Sequence, residues 1–276
     1  MTDWTGKTIF MTGGSRGIGR EIALRFAQAG ANVAIAAKSA QPHARLEGTI
    51  HSVAAEIVSA GGQALPLAVD VRDEQQLIDA IAQTVAHFGG IDLLVNNAGF
   101  LGITPIAQTS TKHFDLMHAL NARAPMISMR ECLPHLIKSK GQVLNLCPPI
   151  NLDPGWLGAF APYTSTKYAM TLLSLGFAEE VKNHQINVHS LWPATLIATA
   201  AIGIAAGDAA MQLARKPAIM ADAAFALLSQ RERFEAQVSW LDEEVLRELG
   251  VTNFTSYANS AEHVDQIQRD FYIGQF

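Results

Sequence analysis

The stretch TIFMTGGSRGIGREIALRFAQAG, residues 8–30, joins an apolar run to a helical pattern through a turn rich in glycine. Residues 8–12 read as a buried strand, because an unbroken apolar and β-branched run suits a sheet covered on both faces. Gly13, Gly17 and Gly19 give the turn the spacing GxxxGxG, which lets backbone N–H groups come close to an anion. REIALRFAQA then repeats apolar residues at helical spacing and stops at Gly30. A helix N-terminus behind such a turn carries partial positive charge, so the unit reads as a phosphate-binding strand, turn and helix, with Ser15, Arg16 and Ile18 completing it.

Outward from that unit the alternation continues. Apolar runs at 32–37, 63–70, 91–96, 142–147, 187–192 and 237–241 are separated by stretches of helical length. Strands that alternate with helices form a parallel sheet, because parallel connections need crossovers and the crossovers cover the sheet. The pattern predicts a doubly wound α/β fold without linkers or repeats. We expect one domain over 1–241 and a C-terminal segment, 242–276, packed on the domain or on a neighbouring subunit. In that segment Asp242 can cap a short helix, EEVLREL, ending at Gly250, and Phe254, Tyr257, Phe271, Tyr272 and Phe276 follow.

The composition narrows the function. Of 276 residues 49% are apolar and only 16% charged, against about 25% charged in an average domain, which argues against disorder. A net charge of −5 offers no electrostatic footprint for nucleic acid or anionic lipid. Cys132 and Cys147 form no CxxC pair and no two histidines stand three or four apart, so neither a metal site nor a disulfide framework is expected. The start, MTDWTGKTIFMTGG, lacks a basic region and a cleavage site, so we expect no signal peptide and a cytoplasmic, reducing location. Residues 185–207 contain no Asp, Glu, Lys or Arg, but their polar residues, Pro193 and alanines make a poor membrane span. They read instead as strand, loop and helix.

Several positions carry chemistry. Lys38 stands at the end of the second strand, where an acidic residue would bind a ribose 2′-hydroxyl and repel a 2′-phosphate. With Arg16 in the turn, two cations and no carboxylate favour NADP(H) over NAD(H), against the reading of Lys38 as a solvated strand-end charge. Asp70 and Val71 close the third strand and are expected at the adenine; the alternative for Asp70 is loop structure beside a capping box, Asp73 to Gln76. NNAG, residues 96–99, ends the fourth strand at the sheet edge where such folds bind ligands, and brings in Asn96, Ala98 and Gly99. Tyr163 and Lys167, in YTSTK, are four apart in one helical pattern and share a face. A cation about 4 Å from the phenol contributes roughly 1 kcal/mol in water and about 4 kcal/mol at a dielectric of 20, enough to lower a pKa near 10 toward proton exchange. Without the other motifs such a pair would be an exposed helix contact.

Through TGGSRGIG, DVRD, NNAG, Asn121 and YxxxK, in that order, the chain resembles the short-chain dehydrogenase/reductase family over about residues 5–241. AAKSAQPH at 36–43, PPIN at 148–151, LWPAT at 191–195 and LRELGVTNFTSYA at 246–258 are similar to the hydroxysteroid dehydrogenase-like group within it. The resemblance implies a Rossmann fold of about seven strands in the order 3-2-1-4-5-6-7. It implies Tyr163 as general acid and base, Lys167 on the nicotinamide ribose, and Asn121 holding a water for proton relay, against Asn121 as a satisfied helix residue. It places Pro193, with Thr195 or Thr199, at the nicotinamide carboxamide, and a substrate lid at about 194–216, whose small apolar residues suit a small lipophilic substrate. It also implies self-association as a dimer or tetramer through the fourth and fifth helices.

The departure is at the end of the fifth strand. The family has a substrate-binding serine there, and this chain has LNLCPPIN. Losing one such donor costs about 10²–10³ in rate. Cys147, Asn151 and Ser165 are candidate substitutes, or PPIN only shapes the wall. The expected function is an NADP(H)-dependent oxidoreductase interconverting a secondary alcohol and a ketone. The alternative is an NADP(H)-binding sensor or scaffold whose catalysis is weak or lost.

Overall fold

Residues 8–12 alternate between two environments. Ile9 and Met11 point into one apolar cluster and Phe10 into another, all fully buried. That alternation is what a strand in the middle of a two-sided sheet requires. The structure, a computed structural model, describes residues 3–44, 46–234, 236 and 239–273.

Seven parallel strands form one sheet: β1 (Thr8–Thr12), β2 (Asn32–Ala37), β3 (Gln63–Ala68), β4 (Leu93–Asn96), β5 (Gln142–Asn145), β6 (Asn187–Trp192) and β7 (Ser239–Leu241). Their order is β3-β2-β1-β4-β5-β6-β7. The registers Thr12↔Ala36 and Thr12↔Asn96 bring the ends of β1, β2 and β4 level. The winding reverses between β1 and β4, and a crevice opens there beyond the carboxyl ends.

One face is covered by α1 (Gly17–Ala27), α2 (Ile50–Ser59) and α9 (Ala218–Ser229), through Ile22, Phe26, Ile57 and Leu227. The other carries α3 (Glu74–Phe88), α5 (Ala124–Ser139) and α7 (Ala161–Val181), through Leu77, Ile127, Leu136 and Val181. Local signals set the helix ends. Thr49 and Ser52 form a reciprocal cap on α2, and Asp73 caps α3, which stops at Gly89 with φ +89°. Four helices remain: α4 (Thr111–His118), α6 (Pro154–Leu157), α8 (Ala200–Gln212) and α10 (Asp242–Glu248). Among the described residues no helix is long and apolar enough to cross a membrane.

Several strands are shorter than the apolar runs suggest. β3 stops at Ala68 rather than Asp70, and β5 at Asn145 rather than Cys147. One ladder bond survives past each end, Val69 N to Ala37 O and Leu146 N to Asn96 O, before the chain turns into the crevice. β4 begins at Leu93 rather than residue 91; Asp92 just before it donates its N–H to Thr8 O, accepts from Gln142 N on its carbonyl, and accepts from Thr8 N on its carboxylate. Residues 237 and 238 of the expected last strand, and Phe276, lie outside the described residues. Asp242 is the first residue of α10 rather than its cap. Its buried carboxylate accepts from Ala194 N, tying the helix to the loop after β6.

The C-terminal segment runs back over the carboxyl ends of the strands. Leu196 N donates to Gln268 O and Asp270 N to Ala194 O. Tyr272 is buried among Phe160, Tyr163, Tyr168 and Trp192, with ring centroids 5.6–6.4 Å apart. This aromatic layer closes one side of the crevice.

Candidate active site

The turn after β1 is built so that its backbone is exposed to the crevice. Gly13 has φ +75°, and a side chain on it would come within 2.7 Å of Ala98 Cα. A Cβ on Gly19 would lie 2.5 Å from Asn97 Nδ2, which donates to Gly13 O. Space requires glycine at both positions, and conformation requires it at Gly13 as well. No side chain caps α1 and no acidic residue stands in its first turn, so its N–H groups and their partial charge remain available to an anion. Gly13, Ser15, Arg16, Gly17 and Ile18 line a groove of about 540 Å³ in front of that terminus. Its far wall carries Lys38, Asp70, Val71, Ala98 and Gly99.

Asp70 accepts from Arg72 Nε at 2.8 Å and from Lys38 Nζ at 3.4 Å, and the Arg72 guanidinium holds its carboxyl below the usual carboxylate range. Gln76 donates to Asp73 and accepts from Asp70 N, so it ties the two acidic residues together rather than closing a reciprocal cap on α3. Arg16 is anchored on Ser39 Oγ and the carbonyls of Glu47 and Gly48.

The groove continues, past Ile18, Gly99 and Thr199, into a smaller cavity of about 190 Å³. Tyr163, Lys167, Asn121 and Pro193 line it, with Trp192 from the end of β6 and Asp270, Phe271 and Tyr272 from the C-terminal segment. Tyr163 and Lys167 are buried on one face of α7. Lys167 Nζ donates to Leu146 O at 2.7 Å and lies 5.1 Å from the centre of the Trp192 ring. Burial lowers its pKa to about 8, opposed by the nearby Asp270 carboxylate. Burial, joined by Asp270, pushes the Tyr163 phenol above its ordinary value. This is opposite to the lowering expected from Lys167, whose ammonium is directed at the Leu146 carbonyl and the indole face.

Asn121 sits in a π-turn, Ala119–Arg123, between α4 and α5. Such turns recur at functional sites. Its Oδ1 accepts from Phe100 N at 2.9 Å, and its Nδ2 donates to Phe100 O and to Thr166 Oγ1. The side chain is thus held by the backbone while lining the cavity.

Not every expected residue reaches these walls. Asn96 faces inward, donating to Asn145 Oδ1 and accepting from Ser128; Asn97 lines the groove and cavity instead. Of the two threonines after Pro193, Thr199 lines both spaces and caps α8, whereas Thr195 is buried and bridges to Arg269. Cys147 is buried with its Sγ 3.2 Å from Ser190 Oγ. Asn151 exchanges backbone hydrogen bonds with Tyr168 Oη, and Ser165 donates to Pro162 O. None of these three is on the cavity wall. Arg72, Trp192 and Asp270 were missed: Arg72 stands inside DVRD and Trp192 inside LWPAT, while Asp270 in RDFY carries no local signal.

A family model described as short chain dehydrogenase matches residues 7–206. Hydroxysteroid dehydrogenase-like protein 2 of Danio rerio is 48% identical over 269 residues, covering 97% of this chain and 64% of that protein. The human protein of the same name is 45% identical, again with 64% of its length matched. The chain thus spans slightly under two thirds of the length of these curated relatives. A crystal structure of a short chain dehydrogenase from Mycobacterium thermoresistibile matches with a TM-score of 0.89 and 43% identity over 99% of this chain and 97% of that one. A metagenomic short-chain oxidoreductase in complex with NADP matches with a TM-score of 0.71 and 27% identity over 86% of this chain and 97% of that one.

Proposed function

The chain belongs to the short-chain dehydrogenase family of oxidoreductases, and from that premise we propose that it interconverts a secondary alcohol and a ketone on a small lipophilic substrate with NADP(H). The observation that carries this reading is one continuous space, in which the glycine turn and α1 N-terminus open into a mostly apolar cavity holding Tyr163 and Lys167.

The groove fits a dinucleotide. Gly13 and Gly19 let the turn pack closely on Ala98 and Asn97, and α1 presents uncapped N–H groups to a pyrophosphate. Gly13, Ser15, Gly17 and Ile18 would hold the phosphates, Asp70 and Val71 the adenine, and Ala98 and Gly99 the adjoining ribose. Arg16, Lys38 and Arg72 surround the place of a 2′-phosphate, while the one carboxylate there, Asp70, is already paired with Arg72. Pro193 and Thr199 would meet the nicotinamide end. A nicotinamide bound there would supply the hydride acceptor or donor.

The chain's own groups manage the proton. Burial keeps Tyr163 as a phenol, which suits it to give its proton to the carbonyl oxygen in reduction; in oxidation the phenolate form, stabilised by positive charge beside it, takes the proton from the alcohol and becomes the phenol. Lys167, fixed by Leu146 O, holds positive charge beside it and offers N–H donors to ribose hydroxyls. Asn121 keeps the π-turn and the Phe100 loop in place behind them, where a relay water would sit.

One observation supports the sensor or scaffold alternative: β5 ends without the family's serine, and Cys147 faces inward. Oxidation of NADPH with a panel of medium and long ketones, enals and β-ketoacyl thioesters decides between them. Turnover supports the oxidoreductase, whereas NADPH binding without any turnover supports the binder. In fluorescence titrations Lys38→Asp should weaken NADPH about tenfold or more while leaving NADH little changed, since only a 2′-phosphate loses a charge-assisted partner. Equal loss for both would refute the NADP(H) assignment.

A further inference from the structure

The cavity wall opposite the family motifs is supplied by the C-terminal segment, and it brings in a buried carboxylate. Asp270 is 7% exposed and lines the cavity together with Tyr163 and Lys167. Its Oδ1 accepts from Trp192 Nε1 at 2.6 Å and from Tyr272 N at 3.1 Å. The same indole carries Lys167 over its face, so Trp192 holds the carboxylate at its edge and faces the ammonium. The titratable groups facing Asp270 are Lys167, Tyr163 and Tyr272.

The other polar side chains of this wall are engaged. Asn121 is spent on Phe100 and Thr166, the Trp192 N–H on Asp270, and the Tyr272 hydroxyl on Thr164. The hydrogen bonds from Trp192 and Tyr272 both end on Oδ1, the Phe271 backbone also hydrogen-bonds the carboxylate, and Asp270 still lines the cavity with acceptor capacity beyond these partners. No serine closes β5, and Cys147 and Asn151 are elsewhere. A substrate entering this space therefore meets a phenol, an ammonium and a carboxylate among apolar side chains and the internally bonded Asn97, Asn121 and Thr199.

Resting on the oxidoreductase reading, we propose that Asp270 is a specificity-determining residue that accepts a hydrogen bond from a hydroxyl next to the reacting carbon, so that the substrate class is a lipophilic α-hydroxy ketone or vicinal diol. A buried carboxylate set against a methyl group is left without a partner, and set against a second carboxylate it is repelled. A site built around a polar partner rejects the analogue lacking it far more strongly than an apolar pocket rejects one methylene. Burial raises the pKa of Asp270 to about 6, so it is ionised near neutral pH and acts as an acceptor.

The test is calorimetric titration of the full chain, with NADP+ present to prevent turnover, using 1-hydroxy-2-octanone, 2-octanone and 2-oxooctanoate. The hydroxyketone should bind roughly tenfold or more tighter than 2-octanone, with the keto acid weakest. In Asp270→Asn the three should fall within about threefold of one another, since the amide neither accepts as strongly nor repels the acid. Equal affinities in the wild-type chain, no binding of the hydroxyketone, or an order that survives Asp270→Asn in a folded variant would each overturn the proposal. Tyr163→Phe separates the two readings: it leaves this binding order intact and removes NADPH-dependent reduction. Turnover retained in Tyr163→Phe would count against the oxidoreductase mechanism and not against Asp270.

Discussion

Tyr163 and Lys167 could be read from the sequence because their spacing is local: four residues on a helix fix a shared face whatever surrounds it. Their environment could not. Burial among Phe160, Trp192 and Tyr272 and the presence of Asp270 depend on a segment about a hundred positions later in the chain, and together they reverse the direction of the Tyr163 shift. Asp270 itself yields a prediction. Its pKa is raised from 3.8 to about 6 by burial, so the folded state carries no penalty below the unfolded value and loses stability as pH rises through 6. Asp270→Asn should therefore stabilise the chain at pH 8 by on the order of 2–3 kcal/mol and have little effect at pH 4. Thermal unfolding at the two pH values checks this, and an equal effect at both would contradict it. His189 works in the other sense. It is buried in β6 with a pKa lowered to about 4, so stability is present above its unfolded value near 6.5 and is lost as pH falls toward 4.

At the scale of elements, the strand, turn and helix at residues 8–30 were legible because glycine spacing, apolar run and helical period agree. Gly13→Ala should cost about 2–5 kcal/mol, from a left-handed φ and a clash with the Ala98 backbone, and should abolish measurable NADPH binding. Denaturant unfolding and fluorescence titration test both parts; normal NADPH affinity would mean that the turn does not hold the phosphates. Strand ends were less legible. An apolar run marks what is buried, and Val69 and Val71 are buried along the groove, Leu146 along the cavity and Cys147 behind it, although β3 and β5 have already ended. For the same reason NNAG pointed to Asn96, although Asn96 turns inward and Asn97, one residue on, lines the groove. The path of residues 254–273 had no signal at all beyond its aromatics, because docking depends on a surface made by β6, α7 and the loop after β6.

For the whole molecule, the low charge content has two structural sources. The sheet is covered on both faces, and residues 185–207 pass through β6, the Pro193 loop and into α8. A third contribution is exposed: Phe114 on α4, Met126 and Ile137 on α5, and Leu172 and Leu175 on α7 are apolar and open to solvent. These helices would serve self-association, so light scattering on the eluting protein at micromolar concentration should give the mass of a dimer or tetramer, and Leu172→Glu should lower it. A wild-type monomer would contradict that expectation. The central claim is that proton transfer runs through Tyr163 in a site that binds NADP(H). Its most direct test is NADPH oxidation with whichever ketone the wild-type chain reduces, compared in Tyr163→Phe. Turnover should fall at least about 100-fold with unchanged NADPH affinity, whereas turnover retained within about threefold would mean that the proton does not pass through Tyr163.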